Sequence, residues 1–279
     1  MRVQLQQVTK TFTGRDRKHT ALDEVNLEIE SGRFVCLVGP SGCGKTTLLN
    51  LIAGFERPDT GTVLAGGVEV TGPGPDRVVL FQDPALFPWL NVEDNVSFPL
   101  AREGLPAPEL RQRVDDALRL VHLYRFRHAH PHELSGGMKA RAAIARALVM
   151  RPKVMLMDEP FAALDAHTRE LLQREVEQAW QRTGATIVFI THDNREAVRL
   201  GTDVIVMGTR PGRIKLHIDV EADLPRPRDA YDRNLGLLVT RVARELAVEI
   251  DKIAREESDE HPRAAPRAAR SGPDFGRDI

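Results

Sequence analysis

The stretch Gly39-Pro40-Ser41-Gly42-Cys43-Gly44-Lys45-Thr46-Thr47 decides how the chain folds. It fits the pattern Gly, four residues, Gly-Lys-Thr, and its flanks are those the pattern requires. Before it, Arg33-Phe34-Val35-Cys36-Leu37-Val38 is an apolar run short enough for a buried strand. After it, Thr46-Thr47-Leu48-Leu49-Asn50-Leu51-Ile52-Ala53 has helical spacing and stops at Gly54, a natural C-cap. Strand, glycine-rich loop and helix N-terminus together make a cradle for anions. The glycines let backbone N–H groups converge on phosphate oxygens, and the helix end adds partial positive charge. In such a cradle Lys45 neutralises β- and γ-phosphates, and Thr46 offers its hydroxyl to Mg²⁺. The bland alternative, a glycine-rich turn with an incidental lysine, loses ground with each motif that follows.

The whole chain sets the outer bounds. Its 279 residues, 42% of them hydrophobic, suffice for one large domain or two modest ones. A net charge of −1 gives no global electrostatic case for nucleic acid or acidic lipid. The two cysteines, Cys36 on the strand and Cys43 in the loop, would distort the cradle if bridged, so reduced thiols and a cytosolic setting are expected. No apolar run approaches the roughly 20 residues of a membrane span. Met1-Arg2-Val3-Gln4-Leu5 lacks the apolar core of a signal peptide. A soluble chain is expected, reaching a membrane only through a partner.

Residues 2–30 read as strands and turns, with Val25, Leu27 and Ile29 alternating against Asn26, Glu28 and Glu30. Phe12 precedes a polar segment; it is either a stacking surface for an adenine ring or a core residue at a strand end. From Gly61 to Gln82 come short strands, punctuated by Gly66-Gly67 and Gly72-Pro73-Gly74-Pro75. Arg77-Val78-Val79-Leu80-Phe81 reads as a buried strand ending on Gln82, an amide able to complete a Mg²⁺ shell or hold a water. The composition then shifts. A helical insertion is expected from 84 to about 134, extending to about 150 with the helix that follows, and Leu110, Val114, Leu118 and Val121 form one stripe. Phe87 and Trp89 are either its core or part of a docking surface.

Glu133-Leu134-Ser135-Gly136-Gly137-Met138 leads into a helix over 139–150 that Ser135 can cap, with Gly136 and Gly137 admitting close approach to an anion. Val154-Met155-Leu156-Met157 is a buried strand ending in Asp158-Glu159-Pro160. A carboxylate there suits Mg²⁺, assigned to Asp158, and Glu159 can orient and deprotonate an attacking water. Phe161-Ala162-Ala163-Leu164-Asp165 opens a helix over 166–182. Thr186-Ile187-Val188-Phe189-Ile190 is a further buried strand, and His192 just beyond it can sense a γ-phosphate. Strands 204–207 and 214–220 finish the sheet. A helix over 229–253 follows, and a disordered tail is expected over 256–279. The alternation predicts an α/β fold with a mainly parallel sheet, an N-terminal antiparallel β subdomain and a helical insertion.

Taken together, these motifs resemble the ATP-binding subunit of an ABC transporter over about residues 1–225, followed by a helical extension (226–255). The resemblance rests on the phosphate loop, Gln82, Leu134-Ser135-Gly136-Gly137, Asp158-Glu159, Ala163-Leu164-Asp165 and His192. It implies a P-loop NTPase core that binds ATP and Mg²⁺, with Phe12 at the adenine-stacking position and Asp165 at the nucleotide interface. It also implies a head-to-tail homodimer in which Ser135, Gly136 and Gly137 face the ATP held by the other subunit's Lys45. Gly72-Pro73-Gly74-Pro75-Asp76-Arg77, Phe87-Pro88-Trp89, Met138 and Leu224-Pro225-Arg226-Pro227-Arg228 look like bacterial importers of nitrate, taurine and aliphatic sulfonates. Ala140, where the family usually has Gln, and Gly201-Thr202-Asp203, where Ala-Asp-Arg is common, depart from that pattern. The partners implied are two permease subunits at the cytoplasmic face of the inner membrane and, indirectly, a periplasmic or surface solute-binding protein. Nucleic acid is not among them. A soluble ABC-type clamp on nucleic acid or ribosomes is the alternative, but it usually has two cassettes or long coiled-coil insertions, and the chain has neither. A small-molecule kinase would have no use for Ser135-Gly136-Gly137. A sugar importer would need a longer C-terminal domain.

Overall fold

The computed structural model describes residues 1–14, 18–162, 164–228 and 232–260. The chain begins as a hairpin, β1 (Val3–Thr13) and β2 (Lys18–Ile29), and then dives into the core as β3 (Phe34–Val38). The phosphate loop and α1 (Lys45–Ala53) follow, then β4 (Thr60–Ala65), β5 (Val68–Glu69) and β6 (Arg77–Leu80). The insertion holds α2 (Val92–Ser97) and α3 (Ala107–Leu120) and runs into α4 (Gly136–Leu148). Then come β7 (Val154–Asp158), α5 (Ala166–Thr183), β8 (Thr186–Ile190), α6 (Asn194–Leu200) and the β9 (Asp203–Gly208) and β10 (Arg213–Asp219) hairpin. Two helices close the chain, α7 (Val220–Asp223) and α8 (Arg233–Glu260).

Two sheets result. An antiparallel sheet has the order β2-β1-β4-β5, and a six-stranded one has the order β10-β9-β3-β8-β7-β6. In the larger sheet only β10 runs antiparallel, against β9. β3 explains why its residues had to be uniformly apolar. Phe34, Cys36 and Val38 face one hydrophobic core, which reaches the insertion, α5, α6 and α8, while Val35 and Leu37 face a second, beneath the antiparallel sheet and α1. A strand buried on both faces has no solvent side to alternate with.

Three expectations change. The run 77–81 is not a buried strand: only Leu80 is buried, because β6 pairs with β7 alone and forms the sheet edge. Trp89 is 72% exposed and is no part of the insertion's core, which is instead Val92, Val96, Leu100, Val114 and Leu118. The last helix starts at Arg233 and runs to Glu260, so residues 256–260 are helical. Asp229, its expected start, and the tail from residue 261 lie outside the described residues, as does Ala163. Both cysteines are free and buried. Among the described residues no helix is long and apolar enough to cross a membrane.

The segment 224–228 ties α6 to the body of the protein. Helix C-termini leave carbonyls without partners, and here two arginines supply the donors. The Arg228 side chain, 2% exposed, donates Nη1 to the carbonyls of Val198 (2.9 Å), Arg199 (3.0 Å) and Gly201 (2.6 Å). It also donates Nη2 to Glu221 at 2.7 Å. Arg226 reaches the Leu200 carbonyl and lies over the Trp180 ring, 4.8 Å from its centroid. Burial, reinforced by the charge of Arg226, pulls the Arg228 guanidinium down to about 10, so its acceptors are what keep the cation inside. Arg228→Ala is expected to destabilise the fold by about 1–3 kcal/mol, the cost of leaving the carbonyls at the end of α6 without donors. The check is a lower urea midpoint, and an unchanged midpoint would mean the strap carries no load.

Candidate functional site

β3, β8 and β7 are neighbours, and their C-terminal ends carry the phosphate loop, His192 and the Asp158-Glu159 pair respectively. The register pairs Leu37 with Ile190 and Ile190 with Asp158, so residues more than a hundred positions apart in sequence meet at one end of the sheet's strands. Ligands of open α/β sheets bind at this end of the strands.

The loop wraps tightly. A Cβ at Gly39 would come within 2.6 Å of Cys43 Sγ and 2.8 Å of the Met207 carbonyl oxygen. Gly44 has a φ of 91°, and a Cβ there would lie 2.7 Å from the Ala21 carbonyl oxygen. Neither position admits a side chain. Pro40, Ser41, Gly42 and Cys43 complete the turn, and Lys45 and Thr46 open α1 with Thr47 behind them. Lys45 is 6% exposed, and its ammonium donates to the carbonyls of Gly39 (2.8 Å) and Pro40 (3.0 Å).

Thr46 Oγ1 donates to Asp158 Oδ2 at 2.9 Å. Burial pushes the Asp158 carboxyl up, against the Thr46 hydrogen bond, and the neighbouring Glu159 charge adds to the upward push. Glu159 sits at φ 48°, a left-handed conformation uncommon for a side-chain-bearing residue. It is held there by donation from its N–H to the Ile190 carbonyl at 3.1 Å. That turn aims its carboxylate at His192 Nε2, 2.5 Å away. Strain of this kind gathers where geometry serves chemistry.

Phe12, His19, Ser41, Gly42, Lys45, Thr46, Thr47, Glu159 and His192 line a groove of about 320 Å³. Phe12 is 40% exposed and stands opposite His19 in the β1–β2 hairpin, which favours a stacking surface over a core residue. His19 carried no signal in the sequence, because only the strand register brings it to the wall.

Five predicted residues stand elsewhere. Gln82 is exposed past the end of β6 and does not line the groove. Ser135 and Gly136 are exposed at the start of α4, with Ser135 Oγ accepting from the Met138 N–H at 3.3 Å. Gly137 lies against α5, where a Cβ would meet Thr168 Cγ2 at 2.5 Å. Asp165 caps α5 by accepting from the Thr168 N–H at 3.0 Å. The Ser135 turn and the Asp165 loop thus sit side by side, facing outward and off the groove.

A model of the ABC transporter family matches residues 22–162. The chain is 45% identical over 226 residues to the nitrate import ATP-binding protein NrtD of Synechococcus elongatus, covering 80% of this chain and 82% of NrtD. It is 47% identical over 209 residues to the taurine import ATP-binding protein TauB of Burkholderia pseudomallei, covering 75% and 80%. Among solved structures it resembles the dimeric post-hydrolysis state of the ATP-binding cassette MJ0796 bound to ADP and Pi. There the TM-score is 0.70 at 34% identity, over 78% of this chain and 98% of that one.

Proposed function

The chain belongs to the ABC transporter family as one of its ATP-binding, ATP-hydrolysing subunits, and from that premise we propose that it drives import of a small anion. The candidates are nitrate and taurine, the substrates in the names of its relatives, and an alkyl sulfonate, which the sequence resemblance adds. The observation that carries the catalytic part is the meeting of Lys45, Thr46, Asp158, Glu159 and His192 at the ends of three adjacent strands. The alternative of a clamp on nucleic acid draws no support from relatives named for import.

In this reading Lys45 leaves the loop carbonyls for the β- and γ-phosphates, while backbone N–H groups of 39–47 hold the rest of the polyphosphate. The adenine stacks on Phe12. Glu159 takes the proton of the attacking water, and His192 fixes the Glu159 carboxylate and contacts the γ-phosphate. The hydroxyl of Thr46 and the carboxylate of Asp158, both hard oxygen donors 2.9 Å apart, suit Mg²⁺, which leaves most of its positions to phosphates and water. When bound, that ion neutralises charge on the phosphate oxygens. Gln82 joins this set only if the segment after β6 swings toward the groove. Ser135, Gly136, Gly137 and Asp165 serve the ATP of a second copy. Two ATPs thereby hold a homodimer closed, and loss of the γ-phosphate contacts lets it open.

An aromatic patch supports permease docking at the cytoplasmic face of the membrane, with the chain peripheral and a solute-binding protein acting from the far side. Phe87 lies 4.5 Å from Phe98 and 5.6 Å from Trp89, ring centre to ring centre. Phe55 and Phe81, both half exposed, stack at 6.2 Å. Between the β6 edge and α4 runs a groove of about 310 Å³. Exposed apolar patches of this kind mark partner surfaces. Trp89→Asp is expected to cut the membrane subunit co-purifying with the tagged chain about tenfold, as loss of an interface anchor does, without weakening ATP binding. With the solute-binding protein added, the complex in vesicles should hydrolyse ATP faster when supplied with nitrate, taurine or an alkyl sulfonate. Stimulation by a sugar instead would remove the anion reading.

A further inference from the structure

Behind the Glu159–His192 pair lies a second carboxylate that the mechanism above does not use. Glu196, on α6, is 7% exposed. Its Oε1 accepts from Gln173 Nε2 at 2.7 Å, and its Oε2 accepts from the Thr191 hydroxyl. The Thr191 oxygen in turn accepts from the Asp193 N–H at 3.0 Å. His192 is therefore held from both sides, because the residues before and after it close onto one hydroxyl. Gln173 belongs to α5, whose first residue follows the Asp165 cap, and its Oε1 accepts from Arg199 at 3.0 Å. Arg169, one turn earlier on α5, donates to the Leu164 carbonyl at 2.9 Å and so fixes the residue before Asp165. Glu159, Phe161, Arg169, Thr191, His192 and Glu196 line a small open pocket of about 120 Å³. The buried carboxylate thus backs onto the same space as the catalytic pair.

We infer that Glu196 is a positioning residue for hydrolysis, tying the turn that carries His192 to Gln173 of α5 and so to the Asp165 loop. An apolar residue would fill this site at lower cost, since burying a carboxylate is unfavourable unless each oxygen is answered. Burial does push the Glu196 carboxyl up, opposed by its bonds to Thr191 and Gln173. What the carboxylate adds is two fixed acceptors, one for each element. A shift of α5, for instance when a second copy meets the Asp165 loop, is then delivered to His192 through three side chains.

The inference rests on the role given to His192 above, and the experiment separates the two. Steady-state ATP hydrolysis and the affinity for a fluorescent ATP analogue are measured on the full chain carrying Glu196→Gln, Thr191→Val, Thr191→Ser, the double change Glu196→Gln with Thr191→Val, and His192→Ala. Glu196→Gln and Thr191→Val should each lower kcat about tenfold, as misplacement of a catalytic group does, with KM and analogue affinity unchanged. Thr191→Ser keeps the hydroxyl and should stay near the wild-type rate. The double variant should be no slower than the slower single one, because both changes cut one chain of contacts. Losses that multiply, KM and affinity that move in step with kcat, or a Thr191→Ser variant as slow as Thr191→Val would overturn the inference. If Glu196→Gln fails to fold, the Thr191 pair decides. An unchanged kcat in His192→Ala would instead overturn the role of His192 itself.

Discussion

Glu159→Gln is expected to slow ATP turnover by about 10²–10⁴-fold, the contribution of a positioned general base, while ATP binding and dimerisation persist. The substitution keeps the volume and the hydrogen-bonding reach of the side chain. It also leaves the left-handed turn at φ 48° as it is, since Gln meets that conformation on the same terms as Glu. What it removes is the proton acceptor 2.5 Å from His192 Nε2. Lys45, Thr46 and Asp158, the groups that would meet the phosphates and the metal, are untouched. Binding and chemistry should therefore separate. Phosphate release should fall steeply, and size-exclusion chromatography with ATP should show a dimer outlasting that of the wild type, because the bound ATP is no longer consumed. Unchanged turnover would take Glu159 out of the chemistry and leave Asp158 or His192 to account for it.

The parts of this site that could be read in the sequence are those where the chemistry is local. The loop of 39–47 carries its own proof in the strand before it and the helix after it, and Asp158-Glu159 announces itself as charge at the end of an apolar strand. What stayed hidden depends on register and packing. Residues 77–81 have a buried strand's composition, yet β6 is the last strand of the order, and among the described residues it pairs with β7 alone. Sheet order is a property of the crossovers, not of the strand. The same holds for His19, which reaches the groove only through its pairing with Phe12. Trp89 has the residue type of a core but sits on a loop without a facing layer. Arg228 stands in the sequence as part of the Leu224-Pro225-Arg226-Pro227-Arg228 resemblance, and only the folded chain shows the carbonyl ends of α6 that it meets. Glu196 carries no signal in the sequence, which has no means of showing Thr191 and Gln173 beside it.

A subunit carrying Ser135→Arg is expected to disable the ATP site of its partner and leave its own phosphate loop competent. Ser135 and Gly136 are exposed, and they stand at the N-terminus of a helix of 13 residues, where converging N–H groups and the helix dipole attract an anion. The groove of the same chain contains neither of them, so the anion that end attracts has to come from another molecule. The dimeric cassette bound to ADP and Pi, similar to this chain, supports a second copy as that molecule. In a two-fold dimer the arrangement is reciprocal, so each site takes its phosphate loop from one chain and its Ser135 turn from the other. The decisive comparison joins two lesions in the slow Glu159→Gln background, a Ser135→Arg chain and a Lys45→Ala chain, purified as a heterodimer through different tags. Each lesion alone should leave its homodimer unable to hold ATP, the first by bulk where the γ-phosphate must approach, the second by loss of the cation. In the heterodimer both lesions fall into one site when Ser135 acts across the interface, and the other site, built from an intact loop and an intact turn, retains ATP. When Ser135 serves its own chain, each site carries one lesion and no ATP is retained. Labelled ATP per dimer after rapid desalting reads the difference directly: about one nucleotide supports the exchange of parts between copies, and none refutes it.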